Sequence, residues 1–223
     1  MIQIPYIRYE LSFPNVETAT PEGLLAYGGD LSPNRLLLAY RSGIFPWYNI
    51  DDPILWWAPN PRLVLFIDDF ILRKSLKKRI KHFEIRYNTV FSEVMQECGS
   101  ISRDGQHGSW IIPAIVEGYS ALHDMGYAHS VEAWQDGKLV GGLYGVIIGK
   151  VFFGESMFAK VNDASKVAFA SLIERLKSQG FRMIDCQIPS QHLKSLGARE
   201  ISRIEFMKIL NEDVYKQSIP FQI

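Results

Sequence analysis

Cysteine is scarce in this sequence of 223 residues, which contains only Cys98 and Cys186. Two widely separated cysteines without a CxxC motif exclude a disulfide framework and favour a reducing, cytosolic environment. An excess of charge is also missing, because 24 basic residues balance 24 acidic residues. Overall charge therefore gives no sign of a nucleic-acid partner, and any such surface has to come from a local cluster.

Long apolar segments are absent as well. No uncharged apolar run approaches the ~20 residues that a membrane-spanning helix needs. The first fifteen residues lack the basic start, apolar stretch and cleavage site of a signal peptide. With 47% hydrophobic and 22% charged residues, the chain can bury a core rather than stay disordered. We therefore expect a soluble, cytoplasmic protein without membrane association.

The motifs of common metal, nucleotide and hydrolase sites are missing. The five histidines form neither HExxH nor a Cys/His zinc pattern, and there is no GxSxG, Walker A or GxGxxG sequence. We therefore expect no metal site.

Proline is concentrated at the start of the chain, where eight of the eleven prolines precede residue 62. This turn-rich composition predicts a small N-terminal subdomain over residues 1–62 and a second domain over residues 63–223. Within the first part, Ser32-Pro33 and Gly43 bracket a predicted short helix over Asn34–Arg41.

The rest of the chain alternates between strand and helix patterns. A meander is predicted around the turn residues Asp136-Gly137 and Gly149-Lys150. The predicted strands are Leu63–Ile67, Glu84–Tyr87, His129–Gln135, Lys138–Ile148, Val151–Phe158, Phe181–Gln187 and Ile201–Phe206. The predicted helices are Phe70–Phe83, Thr89–Cys98, Pro113–Met125, Ser165–Gln179 and His192–Leu196. This order predicts an α+β fold with a mostly antiparallel sheet.

From the meander onward, the order β-β-β-α-β-α-β resembles the fold of the GCN5-related N-acetyltransferases, by analogy alone. The loop over residues 159–166 contains no glycine. An acetyl-coenzyme A enzyme of that fold would carry a glycine-rich pyrophosphate loop there, so the sequence argues against coenzyme A. A coenzyme A-dependent acetyltransferase nevertheless stays an alternative.

One segment is strongly basic. It contains six cations and no intervening acid: Arg73, Lys74, Lys77, Lys78, Arg79 and Lys81. Such a face can bind phosphates. A solvated helix face is the commoner meaning of a charge run.

Acidic and amide side chains lie in otherwise apolar strands. Asp185 and Gln187 share one face of the predicted strand Phe181–Gln187, and Glu155 follows the apolar stretch Val151–Phe153. Such local conflicts often mark functional sites. Hydrogen-bonded structural groups or solvated strand ends are the alternatives.

Several large apolar residues could line a pocket, although plain core is the default interpretation for each. These are Phe152, Met157, Phe169 and Leu172. Trp47 and Trp110 could stack on a nucleobase, with buried core tryptophan as the commoner case.

Seven strings together resemble the leucyl/phenylalanyl-tRNA–protein transferase family. They are LLAYGGDLSP (24–33), GIFPW (43–47), WWAPNPR (56–62), HGSWI (107–111), AHSVE (128–132), GESMF (154–158) and IDCQ (184–187). The resemblance runs in consistent order from about Phe13 to Phe206. It implies a small N-terminal subdomain followed by an acetyltransferase-like domain.

The resemblance also implies an activity. Members of the family transfer Leu, Phe or Met from aminoacyl-tRNA to proteins that begin with Arg or Lys, which creates a bacterial signal for degradation. It implies no cofactor, and we expect a monomer. A non-catalytic tRNA-binding protein stays a further alternative.

Residue roles follow from the resemblance motif by motif. Asp185 and Gln187 resemble the catalytic pair, and Glu155 resembles the acidic residue near the acceptor N-terminus. The residues that resemble the surroundings of the terminal adenosine are Trp47 and Trp110. Those that resemble walls of the amino-acid pocket are Phe152, Met157 and Ile184, with Phe169 and Leu172 on the pocket helix. The basic segment resembles the family's tRNA-backbone surface. Ser190 stands where the family commonly has asparagine.

Overall fold

The computed structural model describes residues 3–101 and 110–216, which form two sheets. The first sheet has four strands in the order β1-β2-β4-β3. Its strands are β1 (Tyr6–Ile7), β2 (Leu24–Gly28), β3 (Phe45–Pro46) and β4 (Leu55–Trp57). Helix α1 (Pro33–Arg41) connects β2 to β3 and begins with proline at its first position, as the sequence predicts.

The second sheet has seven strands in the order β11-β5-β10-β9-β8-β7-β6. In chain order they are β5 (Arg62–Phe66), β6 (Glu84–Tyr87), β7 (Ala128–Gln135), β8 (Lys138–Ile148), β9 (Val151–Ala159), β10 (Met183–Gln187) and β11 (Arg199–Ile201). β9 and β10 pair in parallel, and the other pairings in this sheet are antiparallel. The predicted α+β class with a mostly antiparallel sheet is confirmed.

Helices cover both faces of the seven-stranded sheet. They are α2 (Lys74–Arg79), α3 (Phe91–Ser100), α4 (Pro113–Asp124), α5 (Ala164–Ser178), α6 (Gln191–Lys194) and α7 (Arg203–Asp213). On one face, α5 and α2 bury residues such as Phe169 and Leu76. On the other face, α3, α4, α7 and the four-stranded sheet contribute to one larger core. Within the described ranges, none of the helices is long and apolar enough to cross a membrane.

The predicted meander is confirmed as β7, β8 and β9. Asp136 and Gly137 both have positive φ, 51° and 70°, as a two-residue hairpin turn requires. Alternation along the strands and glycine at the turns were sufficient signals, because both depend only on local geometry.

The predicted helix over Phe70–Phe83 is wrong in extent. The α-helix covers only Lys74–Arg79, followed by a 3-10 turn over Ile80–His82. The preceding backbone is held outside the helix because the amide of Ile71 donates to the carbonyl of Leu196, at 2.9 Å. Asp68 forms an ion pair with Lys177 rather than serving the start of α2.

The predicted strand over Ile201–Phe206 is also wrong. β11 ends at Ile201, and α7 begins at Arg203. The hydroxyl of Ser202 accepts the amide hydrogen of Glu205 at 3.2 Å, which is a helix N-cap. The spacing Ser-x-x-Glu was the signal for this helix.

The predicted division at residue 62 stays a prediction. The four-stranded sheet lies before residue 58 and the seven-stranded sheet begins at Arg62. However, one hydrophobic core includes residues from Ile7 to Val214 and therefore belongs to both parts.

Gly145, on β8, allows this strand to approach β9 closely. A β-carbon there would lie 2.3 Å from the carbonyl oxygen of Phe153 and 2.5 Å from the ring of Phe152. We expect Gly145→Ala to lower the free energy of unfolding by about 1–3 kcal/mol in urea titrations, because the strands must shift. Gly99→Ala, in α3, is the control, since its β-carbon would first meet an atom at 3.4 Å. Equal effects of the two substitutions would contradict this account.

Candidate active site

The site lies where two neighbouring parallel strands separate. β9 and β10 pair from Val151 and Met183 to Phe153 and Asp185, and their ladder ends there. Both strands then become irregular against their antiparallel neighbours, with register shifts around Glu155 and between Asp185 and Gln187. Such bulges redirect side chains.

Side chains bridge the gap beyond the end of the ladder. The amide nitrogen Nε2 of Gln187 donates to Oε1 of Glu155 at 2.8 Å. An acid and an amide from two different strands therefore meet where backbone pairing has stopped.

Asp185 is completely buried and paired with Arg62. Nε and Nη2 of Arg62 donate to its two carboxylate oxygens at 2.8 and 2.6 Å. The guanidinium carbon lies 4.7 Å from the ring centres of both Phe45 and Phe206. Such bidentate geometry and cation–π contact are the conditions under which a buried ion pair is stable.

Asp185 also orients Gln187. Its Oδ1 accepts the backbone N–H of Gln187 at 2.9 Å. Gln187 has a φ of 66°, a left-handed conformation that is uncommon for residues other than glycine. The ion pair with Arg62 thus holds the carboxylate that anchors this backbone conformation.

Glu155 is surrounded by hydrogen-bond donors. The hydroxyl of Tyr40 donates to its Oε1 at 2.7 Å, and the hydroxyl of Tyr119 lies 3.0 Å from its Oε2. The two tyrosine hydroxyls are also hydrogen-bonded to each other. Burial raises the pKa of Glu155 to about 7, while the donors from Tyr40, Tyr119 and Gln187 oppose the rise.

A largely apolar cavity of about 330 Å³ opens beside these groups. Glu155 and Gln187 line it, together with the predicted wall residues Phe152, Met157, Phe169 and Ile184. The predicted stacking residues Trp47 and Trp110 line it as well. Two of the predicted site residues, Asp185 and Leu172, are absent from the cavity lining that the described residues form. Leu172 lies in the core that contains Phe169.

The two tryptophans differ in burial. Trp110 is buried, whereas Trp47 is half-buried and packs against Trp57 at a ring distance of 5.7 Å. Residues 107–109 of the motif HGSWI lie outside the described residues. Ser190 also lines the cavity, and its hydroxyl accepts the amide hydrogen of Leu193 as the N-cap of α6.

The basic segment lies away from the cavity lining. Its six cations are exposed: Arg73, Lys74, Lys77, Lys78, Arg79 and Lys81. Arg79 forms an ion pair with Asp163 at 3.2 Å, at the start of α5. Tertiary structure thus places one acid beside a segment that has none in sequence.

Sequence reasoning missed Tyr40, Tyr119 and Arg62. The tyrosines lie on α1 and α4 and contact Glu155 across 115 and 36 residues, so no local pattern links them. Arg62 did carry a signal, because charged residues in buried strands need partners. An arginine and an aspartate in two apolar strands therefore indicate a pair.

No metal centre is apparent in residues 3–101 and 110–216, which hold no group of three or more His, Cys, Asp or Glu residues suited to one. What remains is a concave, mostly apolar cavity with a few converging polar groups and a carboxyl of shifted pKa. These features define an α+β protein with a site of the kind found in enzymes.

The chain belongs to the leucyl/phenylalanyl-tRNA protein transferase family. Residues 64–211 match the family's model, and residues 29–60 match the model of its N-terminal domain. The chain is 55% identical over 206 residues to the leucyl/phenylalanyl-tRNA–protein transferase of Sulfurimonas denitrificans, covering 92% of this chain and 90% of that protein. It is 54% identical to the protein of the same name from Flavobacterium johnsoniae, covering 92% and 98%.

Two solved structures are similar at low sequence identity. The L-PGS structure from Bacillus licheniformis has a TM-score of 0.45 at 9% identity, covering 87% of this chain and 72% of that chain. A GCN5-related N-acetyltransferase from Kribbella flavida has a TM-score of 0.40 at 9% identity, covering 74% and 59%. Both TM-scores lie below 0.5, so neither likeness supports a statement about the site or its ligands.

Removing only one partner of the Arg62–Asp185 ion pair should destabilise the fold. We expect Arg62→Met to lower the free energy of unfolding by about 3–5 kcal/mol, because it leaves the Asp185 carboxylate buried and unpaired. The double variant Arg62→Met/Asp185→Leu should recover much of this loss in the same denaturant titration. A loss below about 1 kcal/mol for the single variant would contradict the described role.

The buried acid should make stability depend on pH. The pKa of Glu155 is raised from 4.5 to about 7 in the folded protein. The folded state therefore holds this proton more tightly than the unfolded state, and stability falls as pH rises between these values. We expect Glu155→Gln to raise the melting temperature relative to wild type at pH 8, with the advantage disappearing by pH 4.5. A difference that is independent of pH would refute the shifted pKa.

Proposed function

We propose that the protein transfers leucine or phenylalanine from aminoacyl-tRNA to the N-terminus of an acceptor protein. The observation that carries the proposal is the apolar cavity bordered by Glu155 and Gln187 in a chain of this family. Methionine is proposed as a third donor amino acid. The acceptors are proposed to begin with Arg or Lys, and the product to be marked for degradation.

The donor side suits an apolar side chain, aliphatic or aromatic. The cavity of about 330 Å³ has walls formed by Phe152, Met157 and Ile184, which offer shape but few polar contacts. Selection by shape discriminates weakly, since one methylene is worth only ~1–3 kcal/mol. Acceptance of Leu, Phe and Met by one pocket is therefore expected.

The tRNA would contact two further places. Trp47 and Trp110 line the cavity and offer aromatic faces for the terminal adenosine. The exposed basic segment from Arg73 to Lys81 offers cations for backbone phosphates. Asp163 already pairs with Arg79, so we assign a smaller share of phosphate binding to that arginine.

The chemistry needs no activation of the donor, because the aminoacyl ester is already reactive. The acceptor's α-amine attacks the ester carbonyl, and the protein positions both groups. We propose that Gln187 contacts the attacking amine, while Asp185 acts through the backbone of Gln187 and through Arg62. The reaction is proposed to occur in the cytoplasm, in a single chain, without metal or cofactor.

A transfer assay tests this proposal. Purified protein is mixed with tRNA carrying labelled leucine and an Arg-starting acceptor, without ATP or metal. We expect label on the acceptor's N-terminus, none on a Gly-starting control, and a rate at least about 100-fold lower for Gln187→Ala. Tyr215→Phe, which changes an exposed residue, is the control variant.

Three results would argue against the proposal. Absence of transfer from leucyl-, phenylalanyl- and methionyl-tRNA would refute it. tRNA binding that persists without any product would support a non-catalytic tRNA-binding protein instead. Acetyl transfer from acetyl-coenzyme A to the same acceptors would support the acetyltransferase alternative.

A further inference from the structure

The acceptor brings a proton that has to be removed. An α-amino group has a pKa of ~7.7–8.0, so much of it is ammonium at neutral pH and has no lone pair for attack. Gln187 can contact the nitrogen, but an amide is too weak a base to keep the proton. A partner of Gln187 that can hold a proton is therefore needed, and Glu155 is bonded to it at 2.8 Å.

The number of protons shared between Glu155 and its two tyrosines depends on whether the carboxyl is ionised. Glu155, Tyr40 and Tyr119 make three oxygen–oxygen contacts in a ring: each tyrosine with the carboxyl group, and the tyrosines with each other. Each such contact needs one proton. The two hydroxyls supply two protons, so an ionised Glu155 leaves one contact without a proton. A protonated Glu155 supplies the third and completes the ring.

The same atoms also serve the ionised form. Tyr40 and Tyr119 can then each donate to a different carboxylate oxygen, and Gln187 donates as well. Both protonation states of Glu155 therefore keep hydrogen bonds to the two tyrosines, and only the contact between the two hydroxyls loses its proton when the carboxyl ionises. A group that gives up and takes a proton during each turnover benefits from such an arrangement, because its own hydrogen bonds are kept.

The proton affinities of Glu155 and the acceptor amine are closely matched. The pKa of Glu155 is about 7, close to that of an α-amine. An ordinary glutamate, with a pKa of ~4.3, would be a base roughly 500-fold weaker. A general base is most effective when its pKa lies near the working pH.

The other titratable groups around Glu155 do not compete for this role. Asp185 is paired with Arg62, and it is not one of the described residues that line the cavity. Cys186 and His192 line the cavity, but burial raises the pKa of the thiol and lowers that of the imidazole. Tyr144 packs edge-on against Tyr119, and burial raises the pKa of Tyr40 and Tyr119 well above the usual value.

We propose that Glu155 is the catalytic base of the transfer reaction, and that Tyr40 and Tyr119 are its positioning residues. This inference rests on the proposed function. The ionised carboxylate takes one proton from the acceptor's α-ammonium, so an N–H bond breaks and an O–H bond forms. The freed lone pair attacks the ester carbon and forms the C–N bond. A second amine proton passes to the tRNA's 3′-oxygen as the C–O bond breaks, and Glu155 returns its proton to water.

Single-turnover transfer at saturating acceptor, measured between pH 6 and 8.5, tests the assignment. Wild type should gain rate with rising pH until about 7 and then level off. Glu155→Gln should be at least about 100-fold slower at pH 7, with its inflection moved to the acceptor amine's own pKa near ~8. The acceptor KM should change less than about threefold, which separates a base from a residue that only binds the acceptor.

The positioning residues have their own readout. Because the Tyr119 hydrogen bond lowers the pKa of Glu155, Tyr119→Phe should move the inflection to higher pH. The exposed Tyr215→Phe should leave it unchanged. A titration of ¹³C-glutamate-labelled protein by NMR should show one carboxyl that titrates about pH 7 and is missing in Glu155→Gln.

The outcomes separate the base assignment from the proposed function. If wild type transfers leucine and Glu155→Gln keeps the wild-type rate and inflection, the base assignment is overturned and the proposed function stands. A rise in acceptor KM with an unchanged pH profile overturns it equally. If wild type transfers nothing while the NMR titration is as expected, the proposed function fails, and the base assignment fails with it.

Discussion

The buried ion pair between Arg62 and Asp185 is the interaction on which the site depends. It joins β5 to β10, and its aromatic neighbours Phe45 and Phe206 come from the four-stranded sheet and from α7. Two charges this deeply buried are stable only when their hydrogen bonds are complete. The carboxylate completes its set by accepting the amide hydrogen of Gln187, so the same pair that closes the core also fixes a residue at the cavity.

The second constraint is the separation of β9 and β10. Parallel pairing up to Phe153 and Asp185 brings the strands close, and the bulges beyond it turn Glu155 and Gln187 toward each other. Because the backbones of β9 and β10 no longer pair beyond this point, there is room between the strands for a cavity. Polar side chains then replace the ladder, and the low-polarity surroundings change their proton affinities. The chemistry of the site is thus a result of where a sheet stops pairing.

Much of the fold could be predicted from the sequence because its signals are local. The meander followed from alternation and from Asp136-Gly137, and α1 followed from Ser32-Pro33. The extent of α2 could not be predicted, because a backbone bond between Ile71 and Leu196 decides it across 125 residues. α7 begins with the Ser-x-x-Glu spacing at Ser202, a local signal from which the helix was predictable.

In the candidate site, too, the residues with local sequence signals were predicted and those placed by distant contacts were not. The motifs predicted Glu155 and Gln187, which the structure brings together. Asp185 was predicted as a partner on the same face, and it lies behind Gln187 rather than at the cavity. The tyrosines were not predictable, since helices α1 and α4 reach Glu155 only through the packing of the whole core.

The position of α7 at the end of the described chain has a consequence for biosynthesis. Phe206 covers the guanidinium of Arg62, and Arg203 donates to the carbonyl of Ala58 at 2.7 Å. Residues that emerge early from the ribosome therefore wait for residues that emerge more than 140 positions later. A nascent chain that stops short of α7 cannot close the core around the ion pair. Assembly of the site is thus coupled to the translation of α7.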